Sequence, residues 1–128
     1  MTRSLWIPHS FPGMNEMIAA AKGFGGKGVG YSKMKKQWTG MVRDYALSAG
    51  INRPGPFEGQ VRLCFLWRER NMKRDMDNIA AAKKFILDGL VEAKVIVNDG
   101  WKHVHGFEDA FSIMLYGPVG VEVTIISV

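Results

Sequence analysis

The sequence holds one cysteine, Cys64, among 128 residues, which excludes an intrachain disulfide and any multi-cysteine zinc site. It holds no apolar run near the roughly 18 residues that a membrane span needs. Pro8, His9, Pro12 and Asn15 interrupt the stretch where a signal peptide would carry an unbroken apolar segment. The expectation is a soluble, cytoplasmic protein with no membrane partner. Hydrophobic residues make up 47% and charged residues 23%, so a disordered tail or a fibre is excluded as well. A chain of this length buries about two thirds of the surface of its unfolded form, and a single domain over residues 1–128 is expected.

Acidic residues are scarce in the first part of the chain. Residues 1–74 carry thirteen Lys and Arg against four acids, whereas residues 75–128 carry four against eight. The formal net charge of +5 thus divides into a segment of +9 and a segment of −4. A basic segment joined to an acid-rich one can hold a polyanion while keeping carboxylates for a cation. The other reading is a solvated surface with an accidental gradient.

Leu5-Trp6-Ile7, ended by Pro8, predicts a strand near residues 3–8, and Asn15 to Lys22 a short helix. Gly23, Gly25, Gly26, Gly28 and Gly30 then surround Lys27. The P-loop pattern fails there because Gly28 stands where a Ser or Thr should follow the lysine, so a flexible basic loop is expected, with an anion-binding loop as the alternative. From Tyr31 to Ala49, Met34, Trp38, Met41, Val42, Tyr45 and Ala49 recur on one helical face, with Ser32 as N-cap and Gly50 as stop. Trp38 reads as core. Lys33, Lys35, Lys36 and Arg43 lie mostly off that stripe and are either a phosphate-facing row or its solvated side.

After a connector over 52–58, Val61, Leu63, Phe65 and Trp67 alternate with Arg62, Cys64 and Arg68, the pattern of a strand with one buried face. Cys64 reads as a buried, inert thiol. Ile79, Ala82, Ile86, Leu90 and Ala93 predict one helix over 78–93, followed by a short strand at Val95 to Val97 and a turn at Asn98-Asp99-Gly100. Val119, Val121, Val123 and Ile125 mark a final strand. The fold class expected is α/β, a small mixed β-sheet packed with helices.

Chemistry concentrates in Arg74-Asp75-Met76-Asp77-Asn78. Two carboxylates at i and i+2 can converge on one hard cation, since magnesium takes oxygen ligands and keeps several waters. Asp99 could bring a third carboxylate to the same sheet edge if its strand packs beside the first. Asp77 as helix N-cap, with Asp75 favouring the helix dipole, is the bland alternative. On a continuous helix Asp77, Lys84 and Asp88 would share a face, although Lys84 and Asp88 at i, i+4 can also form a simple surface pair. His103 and His105 would share one face of a strand and read as a surface pair. Trp101 reads as packing, with stacking on an unpaired base as the alternative.

The ordered run Arg74-Asp75-Met76-Asp77-Asn78, Lys84-Phe85-Ile86-Leu87-Asp88-Gly89-Leu90 and Val95-Ile96-Val97-Asn98-Asp99 resembles the signature of the RusA family of Holliday-junction resolvases. Pro8, Ser10 and Asn15 loosely resemble the family's opening. The resemblance implies a homodimeric α/β endonuclease, common in phages and prophages, that cuts four-way DNA junctions with Mg²⁺ or Mn²⁺. It implies Asp75, Asp77 and Asp99 as metal ligands and Lys84 as the functional lysine. Two departures stand out. Ala80-Ala81-Ala82-Lys83 lengthens the Asn-to-Asp segment by three residues, about 4.5 Å of helix, which leaves Lys83 as a rival to Lys84. Asn98 also stands where the family often has a second acid.

The leading expectation is therefore a metal-dependent nuclease, with Arg62, Arg68, Arg70, Lys73 and Arg74 contacting the DNA backbone. A branched-DNA-binding protein that does not cut is the alternative, and a structural protein that self-associates through its charged halves is a third reading.

Overall fold

The computed structural model describes residues 1–26 and 28–128. Its strands are β1 (Thr2–Ile7), β2 (Val61–Glu69), β3 (Val104–Ile113) and β4 (Gly120–Ser127). Its helices are α1 (Met14–Gly26), α2 (Val29–Ala49), α3 (Met76–Ala80) and α4 (Lys83–Glu92). The strands form one mixed sheet in the order β1-β4-β2-β3, with β4 antiparallel to β1 and β2, and β3 parallel to β2. This is the α/β architecture the alternation of elements predicts. No helix among the described residues is long and apolar enough to cross a membrane.

The period-2 pattern of β2 does what it predicts: Val61, Leu63, Phe65 and Trp67 are buried. Leu5 and Ile7 of β1 and Val121, Val123 and Ile125 of β4 share that face through the strand register. Val42 and Ala46 of α2 and Phe85, Ile86 and Leu90 of α4 join the same core. The two helices approach most closely at Gly89, where a Cβ would lie 2.5 Å from Cβ of Val42 and 2.9 Å from the backbone oxygen of Thr39. Only glycine admits that approach, and the approach makes one cleft out of two helix faces.

Several elements differ from the sequence expectation. The stretch predicted as a flexible basic loop is helical through Gly26, and α2 begins at Val29 behind Gly28, so Ser32 is inside the helix and not its cap. Lys27 lies outside the described residues. Gly50 ends α2 as expected, its N–H bonded to the carbonyl of Leu47 at 3.1 Å. The helix predicted over 78–93 is two helices. Ala82 N–H bonds to the carbonyl of Ile79 at 3.3 Å and Phe85 N–H to that of Ala82 at 3.0 Å, so the ladder tightens to i−3 spacing where the extra alanines fall. Ile79, Ala82, Ile86, Leu90 and Ala93 are nonetheless all buried. Val95 to Val97 is no strand; Ile96 makes one isolated parallel bridge to Phe57. The parallel partner of β2 is β3, whose adjacent Glu108 and Asp109 and exposed edge position hide its alternation.

Candidate active site and nucleic-acid interface

The i, i+4 spacing on α4 sets Lys84 over Asp88, and the turn at Asn98, where Gly100 N–H donates to Asn98 Oδ1 at 2.8 Å, presents Asp99 to the same point. Lys84 Nζ lies 3.0 Å from Asp88 Oδ1 and 3.0 Å from Asp99 Oδ2. Lys35 Nζ, from α2, lies 3.5 Å from Asp88 Oδ2. Lys35, Asp88 and Asp99 line a cleft of about 570 Å³ between α2 and α4, as do Lys36, Thr39 and Arg43. Two polar atoms of lining residues are buried without a hydrogen-bond partner, Asp88 Oδ2 and Thr39 Oγ1, and Thr39 is only 6% exposed. Hydrogen bonds from its ammonium, to Asp88 foremost and to Asp99 next, raise the Lys84 pKa. The Lys84 hydrogen bond holds the Asp99 carboxyl below its ordinary value.

Lys83 and Lys84 part company. Lys83 Nζ lies 2.6 Å from Asp109 Oδ2 and over the rings of Phe65 and Phe107, at 5.3 and 4.7 Å from their centroids. Asp109 also accepts a hydrogen bond from Trp67 Nε1 at 2.8 Å. Lys83 thus ties α4 to β2 and β3, while Lys84 pairs with the cleft residues Asp88 and Asp99.

Asp75 and Asp77 stand elsewhere. Asp75 occupies the N-cap position of α3 but its side chain makes no cap hydrogen bond. Asp77 Oδ1 accepts Asn78 N–H at 3.0 Å. Both are exposed. Asp75 lines a hollow with Arg74, Phe111 and Ile113, at the end of β3, whereas Asp99 precedes Val104, its first residue. A parallel crossover leaves one end of a strand and enters the next at the opposite end, which is why β2 delivers the first pair of acids away from the third. Among the described residues no three His, Cys, Asp or Glu side chains converge as a metal-holding group. The structure therefore brings together Asp99, Lys84 and Asp88, and among the described residues Asp75, Asp77 and Asp99 do not converge as one three-carboxylate group.

The motif also organises the N-terminal segment. Asn78 is buried and its Oδ1 accepts Asn15 N–H at 2.9 Å. A Cβ on Gly13 would meet that same Oδ1 at 2.7 Å. Arg74 donates to Phe11 O at 2.9 Å and to Ser10 Oγ at 3.1 Å.

Most of the arginines expected on DNA are engaged within the protein. Arg74 pairs with Glu69 at 2.7 Å, Arg68 with Glu122 at 2.6 Å and Arg62 with Glu108 at 3.6 Å. Arg70 donates to the carbonyls of Met114 and Leu115 at 2.8 and 3.0 Å. Lys73 is exposed, and no ion pair engages it among the described residues. A groove of about 740 Å³ instead runs along α2, lined by His9, Lys33, Lys36, Gly40, Arg43 and Tyr45 among others. Lys36 and Arg43 line both this groove and the cleft at Asp99.

Three smaller expectations need correction. Trp101 does not pack: it is 94% exposed, because its turn lies outside the sheet. His103 lies in the turn before β3 and only His105 is within the strand, so they are not a pair on one strand face. Cys64 is half-buried on the sheet's helix-free face, not in the core, because it alternates with Leu63 and Phe65. Burial first, and its bond to Glu108 next, push its pKa up, which keeps the thiol protonated.

Asp88 and Thr39 are the cleft residues that motif reading does not single out as site residues. The i, i+4 spacing from Lys84 is the one sequence signal for Asp88. No protein-family model and no curated protein matches this chain.

Proposed function

We propose that the protein is a metal-dependent endonuclease of the RusA type, acting in the cytoplasm on four-way or branched DNA by paired phosphodiester hydrolysis in recombination and repair. The observation that carries the reading is the meeting of Lys84 and Asp99, fifteen residues apart, beside a basic helix. Two carboxylates and an ammonium at the mouth of a cationic cleft are groups that phosphodiester hydrolysis uses. A divalent cation held there would supply activation of water and neutralisation of phosphate charge. The family resemblance gives Asp75, Asp77 and Asp99 as its ligands. The geometry favours Asp99 with Asp88, whose buried Oδ2 accepts no hydrogen bond and meets Lys35 Nζ at 3.5 Å, a pair of carboxylates that suits a cation taking one or two carboxylates and otherwise water. Asp99 is common to both sets. Lys84 balances the two carboxylates in the absence of substrate and offers its ammonium to the charge that develops on phosphate. Two symmetric cuts call for a two-fold dimer.

The test is a labelled four-way junction incubated with purified protein and Mg²⁺, Mn²⁺ or EDTA. Nicking with either metal and none with EDTA is expected, with little action on plain duplex. Junction binding without cleavage would favour the non-cutting binder. Asp75→Asn and Asp77→Asn separate the two ligand sets: loss of cleavage with binding intact places those acids at the metal, and full activity leaves Asp88 and Asp99 as the ligands.

A further inference from the structure

We infer that the groove along α2 is a track for the sugar-phosphate backbone of one nucleic-acid strand, seated over Gly40 between Lys36 and Arg43. The inference rests on the nucleic-acid part of the proposed function and not on cleavage. Lys33, Lys36, Gly40 and Arg43 follow one another at i, i+3, i+7 and i+10, which keeps them on one side of a helix. The acid among the groove's lining residues is Asp44, which sits 3.1 Å from Arg43, so the wall retains excess positive charge. Arg43 reaches Glu92 only at 3.9 Å, and Lys36 is exposed with no ion pair among the described residues.

Gly40 is the second, independent observation. A glycine in mid-helix is unfavourable, and Gly89 shows what repays it elsewhere in this fold, since two helices close there. No residue of another element packs on Gly40 in that way. Within 4 Å of its would-be Cβ lies the tip of the Arg43 side chain alone, at 3.5 Å. Gly40 lines the groove, so the missing side chain leaves a dip in the floor of a cationic channel. A chain with phosphates on its outside can settle into such a dip. The ten residue steps from Lys33 to Arg43 span about 15 Å, the rise of roughly four nucleotides of one duplex strand. Because Lys36 and Arg43 also line the cleft with Asp88 and Asp99, a strand laid in the groove leads to the carboxylates that pair with Lys84.

The experiment measures anisotropy of a labelled four-way junction with the full chain in EDTA, across a salt series, beside thermal melts. Gly40→Ala should raise the melting temperature by about 3 °C and weaken binding severalfold. Lys36→Ala should weaken binding and lower the slope of log K against log salt by about 0.9. A stabilised Gly40→Ala with unchanged affinity overturns the track. If Gly40→Ala instead destabilises the fold, Lys36→Ala decides, and an unchanged slope overturns it. Poly-glutamate that competes as well as DNA at equal charge overturns the assignment to nucleic acid, and displacement by low-millimolar inorganic phosphate assigns the groove to a free anion. Wild-type protein that binds with these variant effects but cuts no junction leaves the track standing and defeats the nuclease reading.

Discussion

Two basic regions of the molecule contrast. Along β2 and the segment after it, Arg62, Arg68, Arg70 and Arg74 each have an internal acceptor, a carboxylate or a backbone carbonyl. Along α2, Lys36 and Arg43 line an open groove that runs into a cleft holding two buried oxygens without a hydrogen bond. The β2 region carries the denser charge in sequence. On α2, Lys36 is exposed with no ion pair among the described residues, while Arg43 shares its charge with Asp44 at 3.1 Å. Counterion release depends on cations that can reach a phosphate, so in the proposed reading the arginines act chiefly in holding the fold and the helix is the binding surface.

The largest effect that sharpens this contrast comes from the neighbouring lysines. Lys84→Ala should cost about 10²- to 10³-fold in cleavage at saturating DNA, the usual loss for one donor to a charged transition state, with the fold intact. Lys83→Ala should cut at a near-normal rate but melt earlier, because Asp109 loses its cation. Equal rates in both variants would remove lysine from the chemistry.

Next is Arg74→Ala. Its removal strands Glu69, whose side chain is 12% exposed, and frees the N-terminal segment at Phe11, so a loss of about 2 kcal/mol is expected, short of the full cost for a deeply buried pair. The salt slope for DNA binding should not change. A lower slope in a folded variant would return the arginines to the interface. Arg62→Ala is milder still: the pair is exposed, and stability should shift by less than about 1 kcal/mol, again with the salt slope unchanged.

The smallest effect is on pH. The Asp99 pKa is depressed, so its pairing stabilises fully above the unfolded value near 4 and is lost as pH falls through the folded value. The Lys84 pKa is raised, so its share is full below about 10.4 and is lost as pH rises through the folded value. Melting-temperature differences between wild type and Lys84→Ala should stay level from about pH 5 to pH 10 and shrink outside that window. A difference that titrates near neutrality would point to another group.

Strand β2, strand β4 and helix α2 were legible because one face of each is buried and periodicity reports burial. Strand β3 was not, because an edge strand with Glu108 and Asp109 side by side has little buried face to report. The split between α3 and α4 also escaped, since Ala80, Ala81 and Ala82 suit a helix and a tighter turn equally well. At the site, Lys84 and Asp99 were legible as a motif. Their distance from Asp75 and Asp77 was not, because it follows from the parallel pairing of β2 with β3, a property of topology. The free or engaged state of each arginine was invisible for a like reason: its partners Glu69, Glu108 and Glu122 come from the register of the sheet.

The most direct test of the central claim sets wild type beside Asp99→Asn, measuring binding and cleavage of one labelled four-way junction in the same tubes with Mg²⁺. The account predicts that wild type nicks the junction and that Asp99→Asn binds it at least as tightly, having lost a negative charge near phosphate, yet leaves it uncut. Cleavage by Asp99→Asn at the wild-type rate would contradict it.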